Sequence, residues 1–240
     1  LSGSTNNTIA TVTGANALTG EAALTFDGNA LRVGGATHGS HSSFSDIFLG
    51  GAAHMYAETT GAAGNSLSIS QNAHVDSDGS WEYIVTDEAS NFYQYAGKFG
   101  FRTAASGTAG NDISWNERLV ITADGNIGIG TSAPTALTQI SSTGYDPDDG
   151  AIDRVNYPLV VINPEDTNGD STGIGFGVTT STTKLGAAIH HVREAGGSQG
   201  DLRFLVNYDG NNITERLRID SSGRVGINTS THPDTSSALS

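Results

Sequence analysis

The chain contains no cysteine and few basic residues, and both shortages limit what it can be. Without cysteine, no disulfide supports the fold. Lys and Arg number 11 against 25 Asp and Glu, so the formal net charge is −14. A surface this acidic repels nucleic acid and anionic lipid, and we therefore expect neither nucleic-acid binding nor membrane insertion.

Long apolar runs and helical periodicity are also missing. The best apolar stretch is Tyr157–Ile162, well short of the ~20 residues that span a bilayer. Helix-like spacing is confined to a single possible turn at Asp87–Ser90. The sequence begins without an initiator Met or a signal peptide, and we expect it to be a fragment of a longer protein.

Glycine, in contrast, is abundant. It supplies 32 of 240 residues, about twice the usual ~7%. Hydrophobic residues make up only 36% and occur in short strand-like runs. This composition favours thin β modules with much surface over a disordered chain. Since a thin module buries little core for its length, assembly between chains is also favoured.

A fifteen-residue pattern occurs twice, at Glu117–Thr131 and at Glu215–Thr229, with eight identities in register. A looser version occupies Leu24–Gly34. Each full copy predicts a hairpin: a short strand, a tight turn such as Asp124-Gly125, and a second strand. Internal repetition predicts a chain of similar modules.

The second strand of the hairpin has two distinct faces. Its period of two places Ile127 and Ile129 on one face and Gly128 and Gly130 on the other. Glycine inside a strand marks the close approach of another backbone, and an isolated hairpin is marginally stable. We therefore predict packing between symmetry-related chains. The residues predicted to form it are Ile127, Gly128, Ile129, Gly130, Gly226 and Ile227. The alternative is a pair of surface hairpins on a monomeric β protein.

The repeats divide the chain into five predicted segments. They are an N-terminal β stalk segment with the loose repeat (1–39), a first β module (40–116), a hairpin repeat (117–140), a second β module (141–214), and a hairpin repeat with a tail (215–240). Many short strand-like runs, among them Trp81–Val85 and Leu159–Ile162, predict antiparallel β-sandwich-like modules. The predicted fold is thus all-β, with hairpin repeats alternating with these modules and the chains intertwined in a homotrimeric fibre.

Candidate metal sites are weak. Asp166, Asn168 and Asp170 have the spacing of a calcium loop, but Ser171 and Gly177 stand where that loop requires Gly and Glu. A second acidic cluster comprises Asp146, Asp148, Asp149 and Asp153. We interpret both as solvated turns. His190 and His191 are adjacent on a predicted strand and point to opposite faces, which disfavours a shared metal.

Catalytic motifs are also lacking. The sequence contains neither a Gly-x-Ser-x-Gly elbow nor a phosphate-binding loop. Carboxylates for glycan hydrolysis are available at Glu82, Asp87, Glu88 and Glu194, but in so acidic a chain their presence indicates little. We predict no catalytic residue, no metal and no cofactor, and expect the protein not to be an enzyme.

The densest aromatic run lies between residues 81 and 95. Its members are expected in the core of the first module, and exposed ones can stack on sugar rings. The candidate glycan contacts are Trp81, Tyr83, Tyr93 and Tyr95.

At the repeats the chain resembles a known family. The pattern Glu-Arg-Leu-x-Ile-x-x-x-Gly-x-Val/Ile-Gly-Ile-Gly-Thr, followed by Pro, resembles repeats in the tail fibre proteins of tailed bacteriophages, especially marine ones. The segment Val12–Asn29 is similar to parts of such fibres. Asn228 departs from the pattern, replacing the second Gly.

The resemblance implies a homotrimeric, β-rich rod in the virion, outside the cell. The predicted function is a structural and adhesive tail fibre segment that extends the fibre and contacts host glycans. Its expected partners are other copies of itself, other virion tail proteins and host-surface glycan. Two alternatives stay open: a tailspike-like polysaccharide depolymerase and a bacterial surface adhesin.

Overall fold

The computed structural model describes residues 8–14, 17–26, 30–34, 41–59, 61, 65–142, 157–180 and 184–229, without side chains for 8–23 and 25. The predicted acidic cluster Asp146, Asp148, Asp149 and Asp153 lies outside this part of the chain. The described residues contain strands and no helix, which confirms the all-β prediction. The chain divides into two compact units, Leu1–Ala151 and Ile152–Ser240.

Unit 1 is built around one sheet of eleven strands. The strands of the unit are β1 (Thr8–Gly14), β2 (Ala17–Phe26), β3 (Ala30–Val33), β4 (Phe44–Leu49), β5 (Ala53–Glu58), β6 (Ser66–Gln71), β7 (Ala73–Val75), β8 (Trp81–Tyr83), β9 (Asp87–Tyr95), β10 (Lys98–Gly107), β11 (Asn116–Ile121), β12 (Ile127–Ile129) and β13 (Thr138–Ile140). The sheet order is β1-β2-β3-β4-β5-β6-β9-β10-β11-β12-β13, and β7 pairs with β8 as a separate ribbon. Strands β3 and β4 pair in parallel, as do β12 and β13, while the other neighbours are antiparallel.

Unit 2 is an antiparallel meander of five strands in sequence order. They are β14 (Ser171–Phe176), β15 (Ala187–Arg193), β16 (Gly200–Asn207), β17 (Ile213–Ile219) and β18 (Val225–Ile227).

Two local predictions are wrong. Asp87–Ser90 forms the start of β9 and no helical turn, because its backbone pairs with β10; tertiary pairing overrides a weak local preference. Leu159–Ile162 pairs with no strand in the described part of the chain, and its four apolar side chains are all exposed. Tertiary pairing again decides the outcome, since a β-favouring run becomes a strand only where a neighbour supplies hydrogen bonds.

The repeat hairpins form as predicted. Strand β11 pairs with β12, and β17 pairs with β18, in the same register. The turns match as well: Gly125 and Gly223 have φ of 85° and 79°. The loose repeat is a hairpin too, with Leu24 of β2 opposite Val33 of β3.

The structural repeat is longer than the repeated sequence. In each copy the repeat's Arg, Arg118 or Arg216, is an extra residue in a β-bulge. The bulge follows the same pairing, Phe101 with Leu119 and Phe204 with Leu217. Bulges bend and twist a strand at a fixed place, so β9–β12 and β15–β18 share one backbone plan.

Each hairpin ends on a left-handed residue. Gly34, Gly130 and Asn228 follow the second strand with φ of 94°, 72° and 55°. The backbone N–H of Gly130 donates to Arg118 O at 3.0 Å, and that of Asn228 donates to Arg216 O at 2.8 Å. Asparagine is among the few non-glycine residues that tolerate this conformation. The departure of Asn228 from the repeat pattern therefore conserves the backbone.

Glycine at 130 should matter more than glycine at 125. A Cβ at Gly130 would lie 2.1 Å from the carbonyl oxygen of Ser141, whereas a Cβ at Gly125 meets nothing within 4 Å. We expect Gly125→Ala to lower the free energy of unfolding by about 1–2 kcal/mol, the cost of the left-handed backbone. Gly130→Ala should cost about 1–3 kcal/mol more, since β13 must move away.

Urea unfolding of both variants measures the difference. Equal losses would show that the contact with Ser141 relaxes freely.

Candidate functional site

A row of apolar side chains crosses the large sheet of unit 1 on one face. Residues directly opposite one another on neighbouring strands share a face. From β2 to β13 this register gives Phe26, Leu31, Ile47, Met55, Ile69, Phe92, Phe101, Leu119, Ile129 and Ile140, which we call the unit 1 apolar row. Several members are largely exposed; Phe101, for example, is 44% exposed.

The opposite face of the same sheet is largely buried and carries polar side chains beside apolar ones such as Phe48 and Val120. Asp46, His54, Ser68 and Asn91 are all buried there. His54 Nε2 lies 2.8 Å from Asp46 Oδ1, and Asn91 Nδ2 donates to Ser68 Oγ. Buried polar groups and exposed apolar ones are the informative exceptions in a soluble protein. The burial of this sheet is therefore partly inverted: one face buries polar as well as apolar side chains, while the apolar row on the other face is partly exposed.

The ribbon covers part of the buried face. Ala73 of β7 and Tyr83 of β8 pack against Ala89 of β9 and Ala104 of β10 in the main hydrophobic cluster of the unit. This is the small second layer of unit 1, and it leaves the apolar row untouched.

Unit 2 repeats the partial inversion. Its register aligns Ile174, Ile189, Phe204, Leu217 and Ile227 on one face, the unit 2 apolar row. Ile227 is 76% exposed.

The other face of unit 2 carries an ion-pair network. Asp201 Oδ2 is 2.9 Å from both Arg203 Nη2 and Arg218 Nη1, and Arg218 Nε is 2.8 Å from Glu215 Oε1. Arg203 also contacts Glu194 at 2.8 Å. Asp201 is buried among these side chains, each charge having an opposite partner.

The predicted packing residues separate onto the two faces. Ile129 and Ile227 lie in the apolar rows, and Ile127 shares their face. Gly128 and Gly226 are buried on the covered face. A Cβ at Gly128 would lie 2.5 Å from the carbonyl oxygen of Thr131. The close backbone approach at Gly128 and Gly130 thus comes from the same chain, while the inter-chain role of these residues stays a prediction.

A cavity of about 360 Å³ lies among the aromatic side chains of unit 1. It brings together three of the four predicted glycan contacts, Trp81, Tyr93 and Tyr95. The other lining residues are Phe44, Tyr56, Glu58, Ser66, Lys98 and Arg102. The fourth, Tyr83, is buried in the hydrophobic cluster, and its hydroxyl donates to Ala105 O at 2.6 Å. Tyr83 therefore presents no surface to a sugar.

Arg102 is the centre of this cavity's electrostatics, and sequence reasoning missed it. Its guanidinium carbon lies 4.6–4.9 Å from the ring centroids of Trp81, Tyr93 and Trp115. Its Nε donates to Asn91 Oδ1 at 2.8 Å. Burial lowers the pKa of Arg102 from its ordinary value. Only the pairing of β9 with β10 places Arg102 beside these rings, so no local pattern could have indicated it.

Tyr93 connects the cavity to the repeat. Its hydroxyl donates to the Glu117 carboxylate at 2.9–3.0 Å. Burial, followed by the hydrogen bond and the charge of Glu117, raises the pKa of Tyr93 to about 12. In the second copy the equivalent Glu215 instead binds Arg218. Both repeat glutamates therefore have partners within their own chain.

The segment Asp166–Asp170, which has the spacing of a calcium loop, binds an arginine side chain. Arg193 Nη2 is 2.9 Å from Asp166 Oδ1, and its Nη1 donates to Asp166 O and to Asn168 Oδ1. Asp170 Oδ2 accepts from the backbone N–H of Thr167. The guanidinium occupies the position of a cation, and across the described residues no three metal-binding side chains gather into a site.

Comparison with known proteins adds no identification: no protein-family model matches the chain, and no curated protein is detectably similar to it. Within the described ranges, no helix has the length and apolar character needed to cross a membrane.

Glu117→Gln should lower the pKa of Tyr93 from about 12 part of the way towards its ordinary 10.0, because burial persists while the carboxylate is lost. Since the folded pKa is raised, the contribution of Tyr93 to stability is complete below pH 10 and is lost as the pH rises towards 12. NMR of ¹³C-labelled tyrosine, with Tyr93→Phe for assignment, measures the pKa.

Glu88→Gln, on the same strand as Tyr93, is the control and should leave the titration unchanged. An unaltered Tyr93 pKa in Glu117→Gln would contradict the assigned role of Glu117.

Proposed function

We propose that this chain is a structural and adhesive segment of a homotrimeric viral tail fibre. The observation that carries the proposal is the exposure of an apolar row on each unit, while the opposite face of each sheet buries charged or polar side chains such as Asp46 and Asp201. Exposed contiguous apolar surface marks an interaction site. Other copies of the same chain are the occupants that we propose.

The energetics favour association. Full burial of a Leu, Ile or Phe side chain contributes about 1.5–3 kcal/mol. The half-exposed members of the two rows, such as Phe101 and Ile174, therefore each stand to gain on the order of 1 kcal/mol. Several of them together reach the ~4–15 kcal/mol that association costs in lost freedom.

The fibre form is supported by repetition and by resemblance. Two units carry the same strand plan, bulge and left-handed end, which is typical of modules strung along a rod. The Glu-Arg-Leu pattern resembles tail fibre repeats, which implies three chains, a location in the virion and other tail proteins as neighbours.

Adhesion is supported by the aromatic cavity. Tyr95 is exposed at this cavity, and Trp81 and Tyr93 line it around Arg102, a combination of aromatic and polar groups that sugar-binding surfaces share. Glycan hydrolysis needs two carboxylates across a cleft. Among the residues lining this cavity, Glu58 is the only carboxylate, and it accepts hydrogen bonds from Ser66. This geometry favours binding over depolymerisation.

Light scattering on the purified chain tests the assembly. We expect a mass near three times 24.6 kDa. Phe101→Glu places a charge in the apolar row and should shift the mass towards the monomer, because an unpaired buried charge is strongly unfavourable.

Val85→Glu is the matched control. Val85 is also 44% exposed, but it lies outside both rows, so this variant should keep the wild-type mass. A folded wild-type monomer, or equal effects of the two substitutions, would overturn the proposal.

A further inference from the structure

Two cations converge on the aromatic cavity, where Glu58 is the one carboxylate of the lining. The charge of Glu117 also acts on Arg102. Lys98 and Arg102 both line the cavity, in a chain with 25 acidic and only 11 basic residues. Arg193, Arg203, Arg218 and Arg224 each form an ion pair. Among the described residues, Lys98 and Arg102 form no ion pair, and neither do Arg118, Lys184 and Arg216, whose side chains bind neutral partners. What distinguishes Lys98 and Arg102 is that both line one cavity.

The Arg102 side chain is fixed in one orientation by its neighbours. Three rings pack around its guanidinium, and its Nε is fixed by Asn91. Among the described residues, neither Nη group of Arg102 donates a hydrogen bond, so both remain able to donate to a ligand. Fixing a guanidinium in one orientation removes the side-chain entropy that a flexible surface arginine would lose on binding.

The chemistry around Arg102 selects a class of ligand. The paired Nη groups of a guanidinium match the two oxygens of a planar carboxylate. Lys98 adds a second positive charge, with its Nζ 5.6 Å from the Tyr93 ring centroid. Trp81 and Tyr95 supply apolar surfaces for the C–H faces of a pyranose ring. A sugar that carries a carboxylate satisfies both sets of groups.

Unit 2 shows the same framework without an available cation. In the matched register, Leu205 stands at the position of Arg102, and Arg203 stands at the position of Gly100. Arg203 is already neutralised by Asp201 and Glu194. The shared strand plan therefore does not by itself create the site; the unpaired cations of unit 1 do.

We propose that the cavity binds acidic saccharides, with the uronate carboxylate paired to Arg102 and Lys98 and the sugar ring stacked on Trp81 and Tyr95. The proposal rests on the adhesive role given above and names the ligand class of that site. It makes Arg102 and Lys98 the residues that distinguish acidic from neutral glycans.

Calorimetric titration of the full chain with an oligogalacturonate tetramer tests this, beside the same tetramer after reduction of its carboxyl groups. We expect the reduced sugar to bind at least about tenfold more weakly, because it loses charge-assisted hydrogen bonds. Affinity for the acidic tetramer should also fall as salt is added.

Lys98→Gln should weaken binding of the acidic tetramer about threefold, as expected for a half-buried charge near the surface, and leave the reduced sugar unaffected. Lys184→Gln is the matched control: it removes the same charge from unit 2, where Lys184 contacts Asn211, and should change neither affinity. Arg102→Lys keeps the charge without the planar fork and should lose most of the preference for the acidic sugar.

Equal binding of the two sugars, no binding of either, or equal effects of Lys98→Gln and Lys184→Gln would overturn the proposal. Light scattering on the same samples shows whether the chain is a trimer, and so distinguishes failure of the proposed ligand class from failure of the proposed assembly. If the chain is a trimer but does not bind the uronate tetramer, only the proposed ligand class is refuted. If the chain is a monomer, the proposed fibre assembly is refuted.

Discussion

The structure depends on strand register, because register decides which face of each sheet is apolar. Side chains alternate along a strand, so a slip of one residue would exchange the two faces entirely. The buried Asp46–His54 contact opposes such a slip, since its polar atoms would then be carried to the opposite face. With the face of Asp46 and His54 buried, the apolar row lies on the exposed face of the sheet. The exposed surface on which the proposed association depends thus follows from pairing within one chain.

The two copies of the repeat share one backbone conformation, but the side chains on their covered faces interact differently. Both copies share the turn glycine, the bulged arginine and the left-handed residue that ends the hairpin. On this common backbone, Glu117 accepts a hydrogen bond from Tyr93, whereas Glu215 binds Arg218. One copy therefore builds a cavity with an unpaired arginine, and the other builds a neutralised network. If the segments of the proposed fibre bind different ligands, a shared backbone with different side chains on the covered face would allow this.

What the sequence predicted well was local. Gly125 and Gly223 indicated turns, and the alternation of Ile127 and Ile129 with Gly128 indicated two faces, because these features depend on a few adjacent residues. What it missed was non-local. Leu159–Ile162 has the composition of a strand but pairs with no strand among the described residues, and Arg102 reaches Trp81 only through the order of β8, β9 and β10. The close approach of Ser141 to Gly130 within the same chain was also not foreseen, and the inter-chain role of Gly130 stays a prediction.

The positions of the two apolar rows also limit which kind of partner can cover both of them. Each unit carries its own row, so the proposed partner would have to offer apolar side chains to both. A small ligand would fill one part of one row and leave the rest in water. Another copy of the chain carries both rows by construction, and symmetric association places like surfaces together without a second gene product. Self-association is therefore the simplest way to remove both exposed rows from water at once.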